Sequence, residues 1–334
     1  MQPIYLAVTA LLSTSFMFGC NSSSNEQTSS SYTVKRLKID TNGQVPATIY
    51  ASSTIEDKYI EHTANIIAGY LDNNYDGNWD NSALVAQLGN VGASIVLTED
   101  NEDPEAWFNS LPSAIKNEIQ LDSTQGMMRS DIILCSEADY NSCFNNQTAT
   151  LFDATYEEVL HLITTLGYSQ INQAVFGENG LSTLASAMNE ARADSNGDLN
   201  NINYCQTNAD GEEECNWPTY SANAWYSYDD PTCTYECMVS EYTYWMVTSL
   251  LGIQEHRTGL AHEWDCTTVS SFESGLCLNE LAASGAVKTL YGPSATVTNG
   301  LFDHGSNPYL LPTQIPFGPY QVNGQAVKWT IESF

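Results

Sequence analysis

The stretch Thr155-Tyr156-Glu157-Glu158-Val159-Leu160-His161 opens a helix at the point where the chain changes character. Upstream, apolar runs of strand length are mixed with helical patterns. Thr33 to Ile39 alternates as a strand, and Thr41-Asn42-Gly43 is a hairpin-type turn signal. Ile55, Tyr59, Ile60, Thr63, Ile66, Ile67 and Tyr70 recur at helical spacing, and Ala83 to Leu88 is a shorter helical segment. Gly92 to Leu97 and Ser130 to Leu134 read as further strands. Downstream, helical patterns cover about 155–167, 180–193, 236–252 and 276–289, with long Asn-, Asp- and Tyr-rich loops between them. After Gly292 the chain is extended and punctuated by proline, and Asn323-Gly324 is a second hairpin signal. This order predicts an α+β fold. A small N-terminal sheet with helices (33–150) precedes a mainly helical, disulfide-stapled half (151–334), and the two can form one continuous domain.

The same stretch carries the chain's best catalytic constellation. On a helix, positions i, i+1 and i+4 can serve one ion, as in the HExxH zinc helix, where two His bind metal and the Glu is the general base. Here Glu157 stands at the first His position, so Glu157 and His161 would bind metal and Glu158 would act as the base. The third ligand is assigned to Glu241 in Ser240-Glu241-Tyr242-Thr243-Tyr244-Trp245, with Glu236 as second choice. A plain structural alternative treats Thr155-x-x-Glu158 as a capping box, with Glu157 favoured at a helix N-terminus and His161 flanking the core. Glu158-x-x-His161 also has the spacing of di-iron bundles, but no second ExxH is present. At these residues the chain resembles the gluzincins, metallopeptidases that pair an HExxH helix with a Glu from a later helix. The resemblance covers about a quarter of the chain, and the His-to-Glu change at Glu157 departs from it. It implies a zincin-like architecture, Zn²⁺ or another divalent metal, and hydrolysis of peptide bonds.

A second constellation favours calcium. Asp72, Asn74, Asp76, Asn78 and Asp80 place oxygens at positions 1, 3, 5, 7 and 9 of an EF-hand-type loop, with Gly77 at position 6 for the sharp turn. Position 12 is Ala83 where a sensor loop carries a bidentate Glu, so the loop reads as a Ca²⁺ staple rather than a sensor; an uncharged turn is the alternative. Asp194, Asn196, Asp198 and Asn200 form a weaker second calcium candidate, and Asn208 to Glu214 a solvated acidic hairpin.

The chain has 334 residues, 42% of them hydrophobic, enough for a sizeable core. With 10 Lys and Arg against 40 Asp and Glu the formal charge is −30, a field that repels phosphate backbones and argues against a nucleic-acid partner. Residues 4–18 have the length of a signal-peptide apolar region, giving a signal peptide over 1–19. Phe18-Gly19-Cys20 resembles the lipobox of bacterial lipoproteins, and residues 20–32 form a polar tether. That resemblance implies export, a lipid on Cys20 and an outer-membrane or cell-surface address. Nine cysteines less Cys20 leave eight in close neighbours: Cys135/Cys143, Cys205/Cys215, Cys233/Cys237 and Cys266/Cys277, read as four local disulfides. The remaining histidines, His62, His256, His262 and His304, are minor candidates.

Two functions follow. One is an exported, lipid-anchored metalloprotein that hydrolyses peptide or ester bonds. The alternative is a noncatalytic, calcium-stabilised surface lipoprotein that binds an extracellular or cell-envelope ligand through Tyr220, Trp225, Tyr226 and Tyr228.

Overall fold

The computed structural model describes residues 34–134, 152–194, 205–207, 213–215, 220–228, 233–254, 264, 277–292, 296–298, 301–303 and 307–333. Its fold is mixed, as expected: a small sheet at the N-terminal end, then a mainly helical half. The first strands are β1 (Val34–Lys38) and β2 (Thr48–Ser52), followed by helices α1 (Asp57–Leu71) and α2 (Ser82–Val91). Then come β3 (Ser94–Thr98), α3 (Pro104–Ser110) and β4 (Thr124–Met128). β1 and β2 pair antiparallel, whereas β2, β3 and β4 are parallel. The C-terminal strand Ile331–Ser333 returns to the sheet and pairs antiparallel with β1.

The pleat sorts these residues onto two faces. Leu37, Ile49, Ala51, Ile95, Leu97 and Met127 enter the main core, which α1 and the later helices complete. Val34, Tyr50 and Val96 point the other way, onto Trp107 and Leu111 of the α3 region. β3 is therefore buried along its whole length, as a central parallel strand should be.

Several local expectations shift. The strand expected at Ser130 to Leu134 lies instead at Thr124–Met128, and Arg129–Asp131 is a short 3₁₀ turn. Apolar Ile132-Ile133-Leu134 drew the expectation, but Gly126 suits the real strand: a Cβ there would lie 2.6 Å from Pro104 Cβ. The helix expected over 276–289 is two, Leu278–Ala283 and Gly285–Tyr291. It breaks at Ser284, which turns extended and accepts the Val287 N–H at 3.1 Å as the second helix's N-cap. The Asn323-Gly324 hairpin is as expected, with φ of 51° and 77° at its two turn residues.

Among the cysteines, Cys233 and Cys237 are bonded. Cys277 is also in a disulfide. Cys205 stands opposite Cys215 in an antiparallel strand pair. Cys20, Cys135, Cys143 and Cys266 lie outside the described residues.

Candidate metal centre

The helix Thr155–Ile163 packs on β4, on α1 and on the later helix Tyr235–Leu251. Tyr156, Val159, Leu160, Leu162 and Ile163 are buried and fix its rotation. Its N-terminus is not held by the expected capping box. Asp153 does that work, its Oδ1 accepting the Thr155 N–H at 3.1 Å while its Oδ2 meets His62 Nε2 at 2.8 Å. Asp153 precedes the helix, so its carboxylate reaches the first free N–H before Thr155 can act as a cap. The partner helix is buried almost all round from Met238 to Ser249, with Thr234 as N-cap and Gly252 (φ 85°) as left-handed terminus. The Cys233–Cys237 disulfide staples its first turn.

Glu157 and His161 project from one turn of the first helix toward Glu241 of the second. His161 Nε2 lies 3.7 Å from Glu157 Oε1 and 3.5 Å from Glu241 Oε1, and donor atoms of all three residues fall within 4.8 Å of one another. Two donors held about 2.1 Å from one ion in tetrahedral geometry are about 3.4 Å apart, so these spacings suit a single cation. His161 Nε2 is a buried atom with no hydrogen-bond partner, while Nδ1 is engaged with Ser240 Oγ at 2.9 Å. The Nδ1 edge of the buried ring is thus satisfied, and Nε2 faces the two carboxylates. This is the one cluster of three such donors among the described residues. A Glu157–His161–Glu241 group could therefore hold a metal ion. Glu236, the second-choice ligand, is exposed and outside the cluster.

Charge sharpens the point. Burial would lower the His161 pKa, but Glu241 and Glu157, with Glu158 behind them, outweigh it and hold the imidazole well above its usual range. Glu158 is pushed up to about 8, first by burial; His161 opposes the shift, and Glu157 and Glu241 add to it. With the Glu158 carboxyl protonated up to about 8, Glu157 and Glu241 still outnumber the one imidazole and leave an excess of negative charge in a half-dry site, which a divalent cation would neutralise.

The residues of the expected calcium loop form a turn directly after α1. α1 ends at Leu71, Asp72 is fully buried, and Gly77 turns at φ 86° with no room for a side chain, since a Cβ would sit 2.7 Å from Val322 Cγ1. Its oxygens serve the loop itself. Asp72 Oδ2 accepts from Gly77 N at 2.9 Å and from the Tyr320 hydroxyl at 2.5 Å; Asn74 Oδ1 accepts from Asp76 N at 2.9 Å. Asp76 Oδ1 accepts from Asn78 N at 2.8 Å, and Asp80 Oδ2 from Asn73 N at 2.7 Å. Of the second calcium candidate, Asp194 is buried, whereas Asn196, Asp198 and Asn200 lie outside the described residues, as do His256, His262 and His304.

The aromatic contact surface is corrected. Trp225, Tyr226 and Tyr228 are buried at 8%, 1% and 5% exposure. Trp225 and Tyr226 stack around Trp264 and Tyr242, with ring centroids 5.1–6.4 Å apart. Tyr220 is half-buried and accepts the Tyr228 N–H. These rings are core beneath a polar loop, because covering Trp264 removes more apolar surface from water than a solvated loop would. Sequence reasoning missed Ser240 and Thr165, the latter one turn beyond His161 and hydrogen-bonded to Glu178. Adjacency to Glu241 and the i+4 step from His161 were their only signals.

Compared with protein-family models, with curated proteins and with solved structures, the chain finds no match in any of the three.

Proposed function

We propose that the protein is a divalent-metal-dependent hydrolase of zincin-like arrangement, in which Glu157, His161 and Glu241 hold the ion and Glu158 moves the proton. The single observation that supports this is the convergence of two donors one helical turn apart with a third, Glu241, from a distant helix, around a buried imidazole nitrogen that has no hydrogen-bond partner. Three protein ligands leave a coordination position for water or substrate, the pattern of catalytic rather than structural sites. One imidazole and two carboxylates are harder than the His₂Glu set, so Mn²⁺, Fe²⁺ and Co²⁺ compete with Zn²⁺ here. The ion would supply Lewis acidity and lower the pKa of water at the site.

Glu158 suits a base and acid near neutral pH, its carboxyl lying at about 8 without an ion. Water adds to the carbonyl carbon of a peptide or ester and its proton passes to Glu158. The C–N or C–O bond then breaks, and the same proton goes to the departing amine or alkoxide. Export through residues 1–19, a lipid on Cys20 and Ca²⁺ at Asp72 to Asp80 complete the proposal, placing the hydrolase at a cell envelope with peptide or envelope material as substrate. No helix among the described residues is long and apolar enough to cross a membrane.

The test is elemental analysis of purified protein with hydrolysis of a quenched-peptide library. Stoichiometric transition metal in the parent, lost in Glu157→Ala and His161→Ala, is expected. Glu158→Gln should keep the metal and lose at least a hundredfold in turnover. A parent that binds no divalent metal when loaded overturns the proposal. A Glu158→Gln variant as active as the parent overturns the assigned base and leaves a structural ion.

A further inference from the structure

The chain of hydroxyls behind His161 has a fixed direction. Thr165 Oγ1 donates to Glu178 Oε1 at 2.8 Å. Having spent its one proton, Thr165 can only accept from Ser240 Oγ, 3.4 Å away, the long link of the series. Ser240 has then spent its own proton and must accept from His161 Nδ1 at 2.9 Å. Nδ1 therefore keeps its hydrogen, and Nε2, which faces Glu157 and Glu241, is the nitrogen that gives up a proton to an ion. Thr165 lies in the wide π turn Thr164–Tyr168 that continues the His161 helix, a geometry that recurs at functional sites.

The geometry points to Glu178 as a positioning residue that, through Thr165 and Ser240, fixes the metal-competent tautomer of His161. This rests on the metal-site reading above. Metal-bound histidines commonly hand their second N–H to a carboxylate, which orients the ring and raises its basicity. Here two hydroxyls carry that contact across the space between two helices, and each hydrogen bond polarises the next. Glu178 serves as terminus because an ionised carboxylate accepts only. Its pKa lies at about 7, raised by burial and lowered by the Thr165 hydroxyl, so the relay is tested above that pH. If Ser240 donated to His161 instead, Nδ1 would hold the lone pair and Nε2 a hydrogen, which cannot ligate.

The experiment uses the full chain at pH 8.5, titrated with Zn²⁺ and Co²⁺ against a chromophoric chelator, in Thr165→Val, Thr165→Ser and Glu178→Gln. Thr165→Val and Glu178→Gln should weaken both metals about 10–100-fold. Thr165→Ser, which restores the hydroxyl, should return to within about threefold of the parent on the same scale. Affinities unchanged in Thr165→Val and Glu178→Gln overturn the relay. So does equal weakening in Thr165→Ser, which would reveal a packing effect. A parent that binds neither metal sinks the metal reading instead, and NMR of the metal-free proteins, ¹⁵N-labelled at histidine, then decides the relay. A downfield, exchange-protected His161 Nδ1–H in the parent and Thr165→Ser that is lost in Thr165→Val supports it; one that exchanges equally in all variants overturns it.

Discussion

Glu158→Gln should leave the metal-free protein unchanged in stability at acid pH and make it more stable at alkaline pH. Burial lifts the Glu158 carboxyl from 4.5 to about 8. The folded state then holds a proton that the unfolded chain has released, so stability falls as pH rises between those values. Below pH 4.5 both states are protonated and nothing is lost. Above about 8 both are ionised and the folded state bears the whole penalty of a carboxylate in a half-dry site. At about 1.36 kcal/mol per tenfold, the full penalty is about 5 kcal/mol. Glu158 is half-buried, and solvent screening brings the expected effect to about 2–3 kcal/mol. Gln keeps the shape and carries no charge. His161, whose raised pKa also removes stability as pH rises, is present in both proteins; Glu158 is the smallest of the named causes of that rise, after Glu241 and Glu157, so most of the His161 contribution cancels in the difference. Urea melts with a chelator at pH 4.5, 7 and 9 should show the gap opening from within about 0.5 kcal/mol to its full value. A divalent cation should shrink it, since the ion favours the ionised carboxyl. A gap of equal size at pH 4.5 and 9, or a variant less stable at pH 9, would refute the electrostatic account of this site.

Three further outcomes are expected. Chelation of Ca²⁺ should lower the melting temperature of the parent by several degrees and that of Asp76→Ala hardly at all, measured by scanning calorimetry; an unchanged parent curve removes calcium from the Asp72 loop. Gly77→Ala should cost about 1–3 kcal/mol through positive φ and the clash with Val322, seen as a lower urea midpoint with the slope unchanged. Trp264→Ala should cost about 3–5 kcal/mol, because Trp264 sits at 1% exposure among Trp225, Tyr226, Tyr242 and Trp245, and near-UV circular dichroism should collapse with it.

Local periodicity made much of the fold legible. The i, i+4 step that joins Glu157 to His161 and the Asn323-Gly324 turn are fixed by neighbours a few residues away, and both stand as read. Non-local pairing hid the rest. β2 (Thr48–Ser52) follows Pro46 and buries Ile49, Tyr50 and Ala51 in succession, so it shows no alternation; its place depends on β1 and β3. The C-terminal strand Ile331–Ser333 exists because β1 has a free edge to offer. Glu178 sits outside any helix pattern, and only the π turn at Thr164–Tyr168 brings Thr165 to it.

The aromatic loop and the Glu157–His161–Glu241 group show why one expected placement failed and the other stands. Tyr, Trp and Asn within a few residues describe both a recognition surface and a buried cluster, since rings bury as readily as they bind; Trp264, far along the chain, selected burial. A carboxylate offers no such choice. Burying Glu241 in a helix that holds no other buried charged residue is costly unless something opposite answers its charge. His161 answers part of that charge, and Glu157 adds more to be answered. The residual demand of these acids is for a cation, and that demand, rather than the motif's likeness to any other, carries the case for a metal between the two helices.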